Sequence, residues 1–281
     1  MDVYYNKLLL LFDKEFVDEF MHVADIYCKP NRGPIFSTSY YLYYITIVLT
    51  DLRRWSSLSL LLQSNKKNHY KTIQDKHLEW SKLNLYEKTY KNINEKYHSL
   101  SHKCSQNIVL FIDSSNIYNK CGTVNIGYGQ NPKKQESRIS LICDEYKNVY
   151  SVILIKPTYK TATKRTFCHD SKTIIPNLND LIKTKITCKR VQLAGDKGYI
   201  LNKKDKKQLE TDYNVQIIHP HRRNQIIKTP KQSKKILKKR YVIENVFASI
   251  KIYDRICVRK DKLEETFISF VYLALMLKFK K

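Results

Sequence analysis

The sequence predicts a mixed α/β sheet domain placed after a small all-helical region. Three observations carry that expectation. Short apolar runs that end in an acid occur at residues 107–115 and 191–198. Two further apolar runs, 138–143 and 149–155, flank a hairpin-sized turn at 144–148. Before residue 105 the apolar residues recur at spacings of three and four, the period of a helix. The expected division is therefore 1–104, helical, and 105–281, α/β.

The helical part reads in order. Leu8 to Phe12, then Phe16, Phe20 and Val23, give one or two helices. Residues 29–34 (Lys-Pro-Asn-Arg-Gly-Pro) are a loop. An apolar helix spans 40–50, and a second runs through Trp55, Leu58, Leu60 and Leu62. Thr72, with Asp75 three residues on, has the form of a capping box that opens a helix to Trp80. After a turn near Asn84, Tyr86, Tyr90, Ile93 and Tyr97 mark another helix. Such a run of short helices fits a helix-turn-helix type of region, in which Lys71, Gln74, Lys76 and His77 would face out toward DNA. A plain helical bundle fits the same pattern.

The α/β part opens with a strand at 108–113, followed by an exposed polar loop over 114–137 with glycines at 122, 127 and 129. Strands at 138–143 and 149–155 follow, then a helix over 171–182 with Pro176 early in it, a strand at 191–194, a helix at 203–213 and a strand at 215–218. A long helix over 233–253 and an apolar one over 263–279 close the chain. Three hairpin-joined strands, then helix, strand, helix, strand, helix, is the order of a ribonuclease H-like domain: a mixed five-stranded sheet flanked by helices.

Composition narrows the partners. The chain has 281 residues and 42% hydrophobic content, enough for a substantial core. Its formal net charge is +25, far beyond what solubility needs. That excess points to a polyanion, and to nucleic acid ahead of an acidic membrane surface. From Arg222 to Arg240 there are nine Lys or Arg and no acid, and Lys251, Arg255, Arg259, Lys260 and Lys262 extend the run. Such contacts release counterions, so affinity should fall steeply with salt. Around 224–235 the same charges also fit a solvated loop. Seven scattered cysteines without a CxxC indicate neither zinc nor a redox motif. They suit a reducing, intracellular compartment: cytoplasm, or nucleus for a eukaryotic or viral host. The start Met1-Asp2-Val3 lacks a cleavage pattern, and the apolar runs at 40–49 and 267–277 are too short for a bilayer. No membrane partner is expected.

Three acids stand out: Asp113 and Asp196 after apolar strands, and Glu244 within a basic helical stretch. An Asp after a strand is commonly a turn residue. Arg240, Glu244 and Lys251 fall on one helical stripe, which a solvated salt bridge explains equally well. The chemical alternative is a metal site. A phosphodiester is an anion and resists attack; two divalent cations about 3.5–4 Å apart activate the nucleophile and stabilise the leaving oxygen. Mg²⁺ or Mn²⁺ asks for oxygen ligands, hence carboxylates on rigid elements.

The motifs together resemble the DDE transposases of bacterial insertion sequences, most closely the group named for insertion sequence five. Arg240-Tyr241-Val242-Ile243-Glu244, with Lys251 seven on, is similar to the Arg-x3-Glu-x6-Lys core. Phe111-Ile112-Asp113-Ser114-Ser115 resembles the first acidic strand, His169-Asp170-Ser171 a short His-Asp element, and Leu193 to Tyr199 the second acid. His219-Pro220-His221-Arg222-Arg223-Asn224 resembles the basic strand end, and Thr72 to Asn84 the N-terminal helix-turn-helix segment. Leu237 stands where the family often has Tyr.

The resemblance implies a ribonuclease H-like fold and a DNA transposase: metal-dependent cleavage at transposon ends, then strand transfer into target DNA. It implies two ions, Mg²⁺ or Mn²⁺, on Asp113, Asp196 and Glu244. Arg240 and Lys251, with Arg222 and Arg223, would contact phosphates; Gln74 and Lys76 would read DNA; His169 and Asp170 would lie near the site. It also implies a homodimer, because two ends are processed together. A nuclease without strand transfer and an inactive, domesticated DNA-binding protein are the alternatives.

Overall fold

The computed structural model describes all residues except 1, 29–35, 53, 63–68, 103–106, 129–133, 157–158, 161–164, 167–169, 183–189, 222–228 and 279–281. The chain forms two compact units. The first comprises Met1–Ile93 and Ile250–Lys281, the second Asn94–Ser249. The C-terminal helix, expected with the sheet, thus belongs to the helical unit.

The helical unit contains α1 (Val3–Leu9), α2 (Lys14–Tyr27), α3 (Thr38–Thr50), α4 (Tyr70–Lys82) and the start of α5 (Leu85–His102). The Trp55–Leu60 stretch is a 3-10 turn, with Trp55 and Leu58 buried and Leu60 exposed. An aromatic core forms where Phe20 meets Trp80 edge-on at 5.1 Å and Tyr86 at 5.3 Å. Asn84 takes the left-handed conformation (φ 55°) that reverses the chain between α4 and α5.

Helix α4 is capped three residues earlier than the Thr72 box suggests. His69 is its cap, its ring Nδ1 accepting from Lys71 N at 3.2 Å. The outward face expected of α4 is also corrected. His77 is buried, bonded through Nδ1 to the Tyr86 hydroxyl at 2.9 Å and packed 4.3 Å from the Phe270 ring. Burial, then the nearby Arg255 charge, lowers its pKa to about 3. Lys76 is largely covered and paired with Glu79 at 3.0 Å; Gln74 is half-buried; Lys71 is exposed and paired with Asp75. The helix faces inward at His77 because Ile73, His77 and Trp80 follow the three-and-four spacing of its buried stripe.

Short α10 (Asp254–Cys257) and α11 (Glu264–Lys278) complete this unit. Helix α11 is buried nearly all round, from Phe267 through Met276, as its apolar run predicts. Arg255 is buried in a bidentate pair with Asp261 (2.9 and 3.1 Å) and lies over the Trp55 and Phe270 rings.

The second unit is the α/β one. Its long strands are β1 (Asn107–Asn119), β3 (Gln135–Asp144), β4 (Val149–Ile155), β7 (Arg190–Ala194) and β8 (Val215–Ile218). Two-residue β2 (Gly127–Tyr128) adds to β3, and β5 (Tyr159–Lys160) pairs with β6 (Arg165–Thr166) as a separate ribbon. The long strands lie side by side as β4-β3-β1-β7-β8. Taken in chain order that is third, second, first, fourth, fifth, the ribonuclease H-like arrangement. Strands β1, β3 and β4 are antiparallel; β7 and β8 run parallel to β1.

Helices α6 (Ile174–Ile182) and α7 (Lys203–Tyr213) pack on one sheet face. Their Ile174, Leu178, Leu181 and Leu209 meet Ile108, Leu110 and Ile112, alternate residues of β1 as pleating requires. Pro176 falls in the first turn of α6, where a missing N–H costs little. Asn214, left-handed at φ 53°, ends α7 and turns the chain directly into β8.

Two expectations are corrected here. Strand β1 does not end at Asp113; it continues six residues further, paired with β3 out to Tyr118 opposite Glu136. Residues 114–119 and 135–137 of the expected loop are therefore strand. The expected helix over 233–253 is broken into α8 (Lys231–Lys238) and α9 (Tyr241–Ile250), with Lys239 and Arg240 between them. Helix α8 buries nothing, whereas α9 buries Val242, Ile243, Val246, Phe247 and Ile250. The chain tightens to i+3 bonds at the junction (Arg240 N to Leu237 O, 3.3 Å) so that only the apolar segment turns inward. Among the described residues no helix is long and apolar enough to cross a membrane.

Candidate active site

The parallel pairing of β1 with β7 sets the site. Its last pair is Phe111 with Ala194. Asp113 and Asp196 each stand two residues beyond that pair, at the same end of neighbouring strands. Past Ala194, Gly195 N still bonds Ile218 O at 3.0 Å, and the chain then closes a 3-10 turn, Lys197–Tyr199. Asp196 caps that turn, accepting from Gly198 N at 2.7 Å. Gly198 is required by space: an added Cβ would lie 2.4 Å from Asp170 Oδ2 and 2.9 Å from Asp196 Oδ1. The carboxylates of Asp170 and Asp196 thus press on one glycine.

Sheet parity distributes the remaining contacts. Asp113 points to the side opposite Ile112, and Ser114 to the α6 side. Asp113 Oδ1 accepts from Ser114 N at 2.8 Å, and its Oδ2 from Arg240 Nη2 at 3.4 Å. On the α6 side, Ser114 Oγ donates to Asp170 Oδ1 at 2.9 Å, and Tyr199, fully buried, points its hydroxyl at Ser114 Oγ (3.4 Å). Arg138 Nη2 meets Asp170 Oδ1 at 2.6 Å.

Two carboxylate–guanidinium pairs result, Asp113 with Arg240 and Asp170 with Arg138, and the charges of Asp196 and Asp170 are felt at Asp113. Burial raises the Asp113 pKa above its ordinary 3.8. The Ser114 amide and the Arg240 charge pull it back, while Asp196 and Asp170 push it further up. Burial is likewise the main cause that raises the Tyr199 phenol.

Of the residues singled out in the sequence, Asp113, Asp196, Asp170 and Arg240 come together. Glu244 is exposed on α9, one turn beyond Arg240. Lys251 lies just past the end of α9 in the chain. His169, Arg222 and Arg223 lie outside the described residues. Arg138 and Ser114 were not anticipated in the site. The signal for Arg138 is the β3 pleat: Ile142, Ser140 and Arg138 share the helix-covered face, where an arginine is out of place without a partner.

The donor set suits a hard divalent cation. Asp113 and Asp196 at the strand ends offer carboxylate oxygens, the ligands such an ion prefers, and burial first, then the Asp196 and Asp170 charges, raise the Asp113 pKa. Among the described residues no group of three His, Cys, Asp or Glu side chains is drawn together tightly enough to enclose an ion.

Two aspartates at the ends of adjacent parallel strands in this strand order define a ribonuclease H-like catalytic domain. Comparison with known families is specific: residues 106–277 match the family described as "Transposase DDE domain". That is more than half of the chain, and the protein belongs to this family of DDE-type transposase enzymes. No curated protein matches it. Among solved structures it is similar to a piggyBac transposase in a synaptic complex with hairpin DNA (TM-score 0.49, 12% identity, 96% of this chain and 72% of that one). It is similar also to the catalytic domain of Mos1 mariner transposase (0.26, 15%, 67% and 88%) and to a pre-cleavage Mos1 transpososome (0.28, 11%, 89% and 79%).

Proposed function

We propose that this transposase cleaves DNA at transposon ends and joins the ends to target DNA, with Asp113, Asp196 and Glu244 as metal ligands. The observation that carries the reading is the matched position of Asp113 and Asp196 beyond the Phe111–Ala194 pair. Two Mg²⁺ or Mn²⁺ ions on these acids would supply an activated water or 3′-hydroxyl and a stabilised leaving oxygen. The chain's own part is positioning. The sheet fixes two acids, and α9 carries the third one turn from Arg240.

Arg240, whose Nε is buried without a partner among the described residues, is suited to a phosphate beside Asp113. Lys251, Arg222 and Arg223 would each add a phosphate contact. Gln74 and Lys76 would read DNA from α4, with Lys76 leaving Glu79 to do so. The Arg240-x3-Glu244-x6-Lys251 spacing supports the insertion-sequence-five group. A homodimer would process both ends together.

Glu244→Gln tests the assignment: Mg²⁺-dependent end cleavage should be lost, and undiminished cleavage would overturn it. Supplying pre-cut ends with intact target DNA separates a transposase from a nuclease, because only the former joins them.

A further inference from the structure

Asp170 touches three separate parts of the site, and none of them by accident of a surface loop. Its Oδ1 takes two donors, Ser114 Oγ at 2.9 Å and Arg138 Nη2 at 2.6 Å. Its Oδ2 lies where it would clash with any Cβ added at Gly198. Its backbone is anchored too. The Asp170–Thr173 turn is tied by Thr173 Oγ1 to Asp170 O at 2.8 Å. Behind it stands a buried polar ladder: Asn177 Nδ2 donates to Ser140 Oγ and Thr173 O, each at 2.8 Å, and Ser151 Oγ donates to Asn177 Oδ1 at 2.9 Å. Ser140, Ser151 and Asn177 are wholly buried. Satisfied buried polar groups of this kind fix geometry, since a broken member leaves a costly orphan.

We propose that Asp170, clamped by Arg138, is a positioning residue for the reaction, fixing Ser114 beside Asp113 and the Gly198 turn that aims Asp196. The inference rests on the reading of Asp113 and Asp196 as metal ligands. Asp170 itself is a poor ligand, because one oxygen is taken by two donors and the other is packed on Gly198. It acts through its neighbours, as partners behind a metal's direct ligands do.

The test is Mn²⁺ titration of the full-length, DNA-free chain, read by calorimetry well below each variant's melting temperature. Asp170→Ala should weaken binding roughly 10- to 100-fold. Asp170→Asn keeps an oxygen for Ser114 and Arg138 and should restore binding to within a few-fold of the parent. Asp113→Asn is the control that loses it. Unchanged binding in Asp170→Ala overturns the proposal; so does Asp170→Asn failing as fully as Asp113→Asn, which would make Asp170 a ligand. If the parent chain binds no Mn²⁺, the metal reading fails on its own account. The positioning role is then decided by Gly198 amide exchange, which must quicken in Asp170→Ala and not in Asp170→Asn; equal exchange in both overturns it.

Discussion

The strand-end aspartates and the basic α8–α9 arm are positioned by different physics. Asp113 and Asp196 follow from register: five consecutive parallel pairs, Asn107 with Arg190 through Phe111 with Ala194, leave each acid little freedom. Arg240 and Glu244 follow from a tightened turn between a helix that buries nothing and one that buries five apolar side chains. Hydrogen-bonded pairing fixes a residue to within one pleat, whereas an amphipathic helix fixes only which way it leans. The sheet acids are thus the set part of the proposed site, and the arm is the less constrained part.

The largest expected effect lies on the set part. Asp113→Asn or Asp196→Asn should lower end cleavage by about a thousandfold, the several kcal/mol that metal-borne charge stabilisation supplies. A loss of less than tenfold in a gel-based cleavage assay would break the comparison. Next, the two halves of the arm should respond oppositely. Ile243→Ala, at a wholly buried α9 position, should cost about 2–5 kcal/mol by urea unfolding. Lys234→Ala or Lys235→Ala in α8 should change stability by no more than about 0.5 kcal/mol. Each α8 change that removes a phosphate contact should lower the salt slope of DNA binding by about 1.

Gly198→Ala should destabilise by about 1–3 kcal/mol, because its Cβ would meet two carboxylates. The smallest effect concerns pH. Asp113 has a raised folded pKa, so its ionisation opposes folding. That penalty is absent below 3.8, grows as pH rises from there to the raised folded value, and is fully present above it. Asp113→Asn should therefore melt higher than the parent at pH 7 and lose that advantage as the pH falls toward 3.8. A melting difference independent of pH would remove the account of Asp113 as an under-compensated charge.

Much of this was legible in the residues because local patterns decided it. Strand 149–155, helix 203–213 and strand 215–218 keep the bounds their apolar patterns predict. Each is short and bounded by turn residues. What the sequence hid depends on partners far along the chain. β1 runs past Asp113 because β3 supplies a matching edge, and polar residues such as Ser114 and Asn116 gave no hint of it. The break at Lys239 and Arg240 follows from burial on only one side of it. His77 looked like a reader of DNA because a histidine among lysines suggests a surface; its burial depends on Phe270, nearly two hundred residues away. Arg138 joins the site through a pleat whose register only the fold displays.

The alternation along β1 has a consequence for how this gene can change. One codon inserted between Phe111 and Asp113 would deliver the carboxylate to the Asp170 side and leave Arg240 facing Ile112 or the inserted residue, without altering a single existing residue. Two codons would return it to its side but carry it a full pleat past Asp196. Lengthening here is ruinous, so the spacing from strand to acid is a frame that drift cannot stretch.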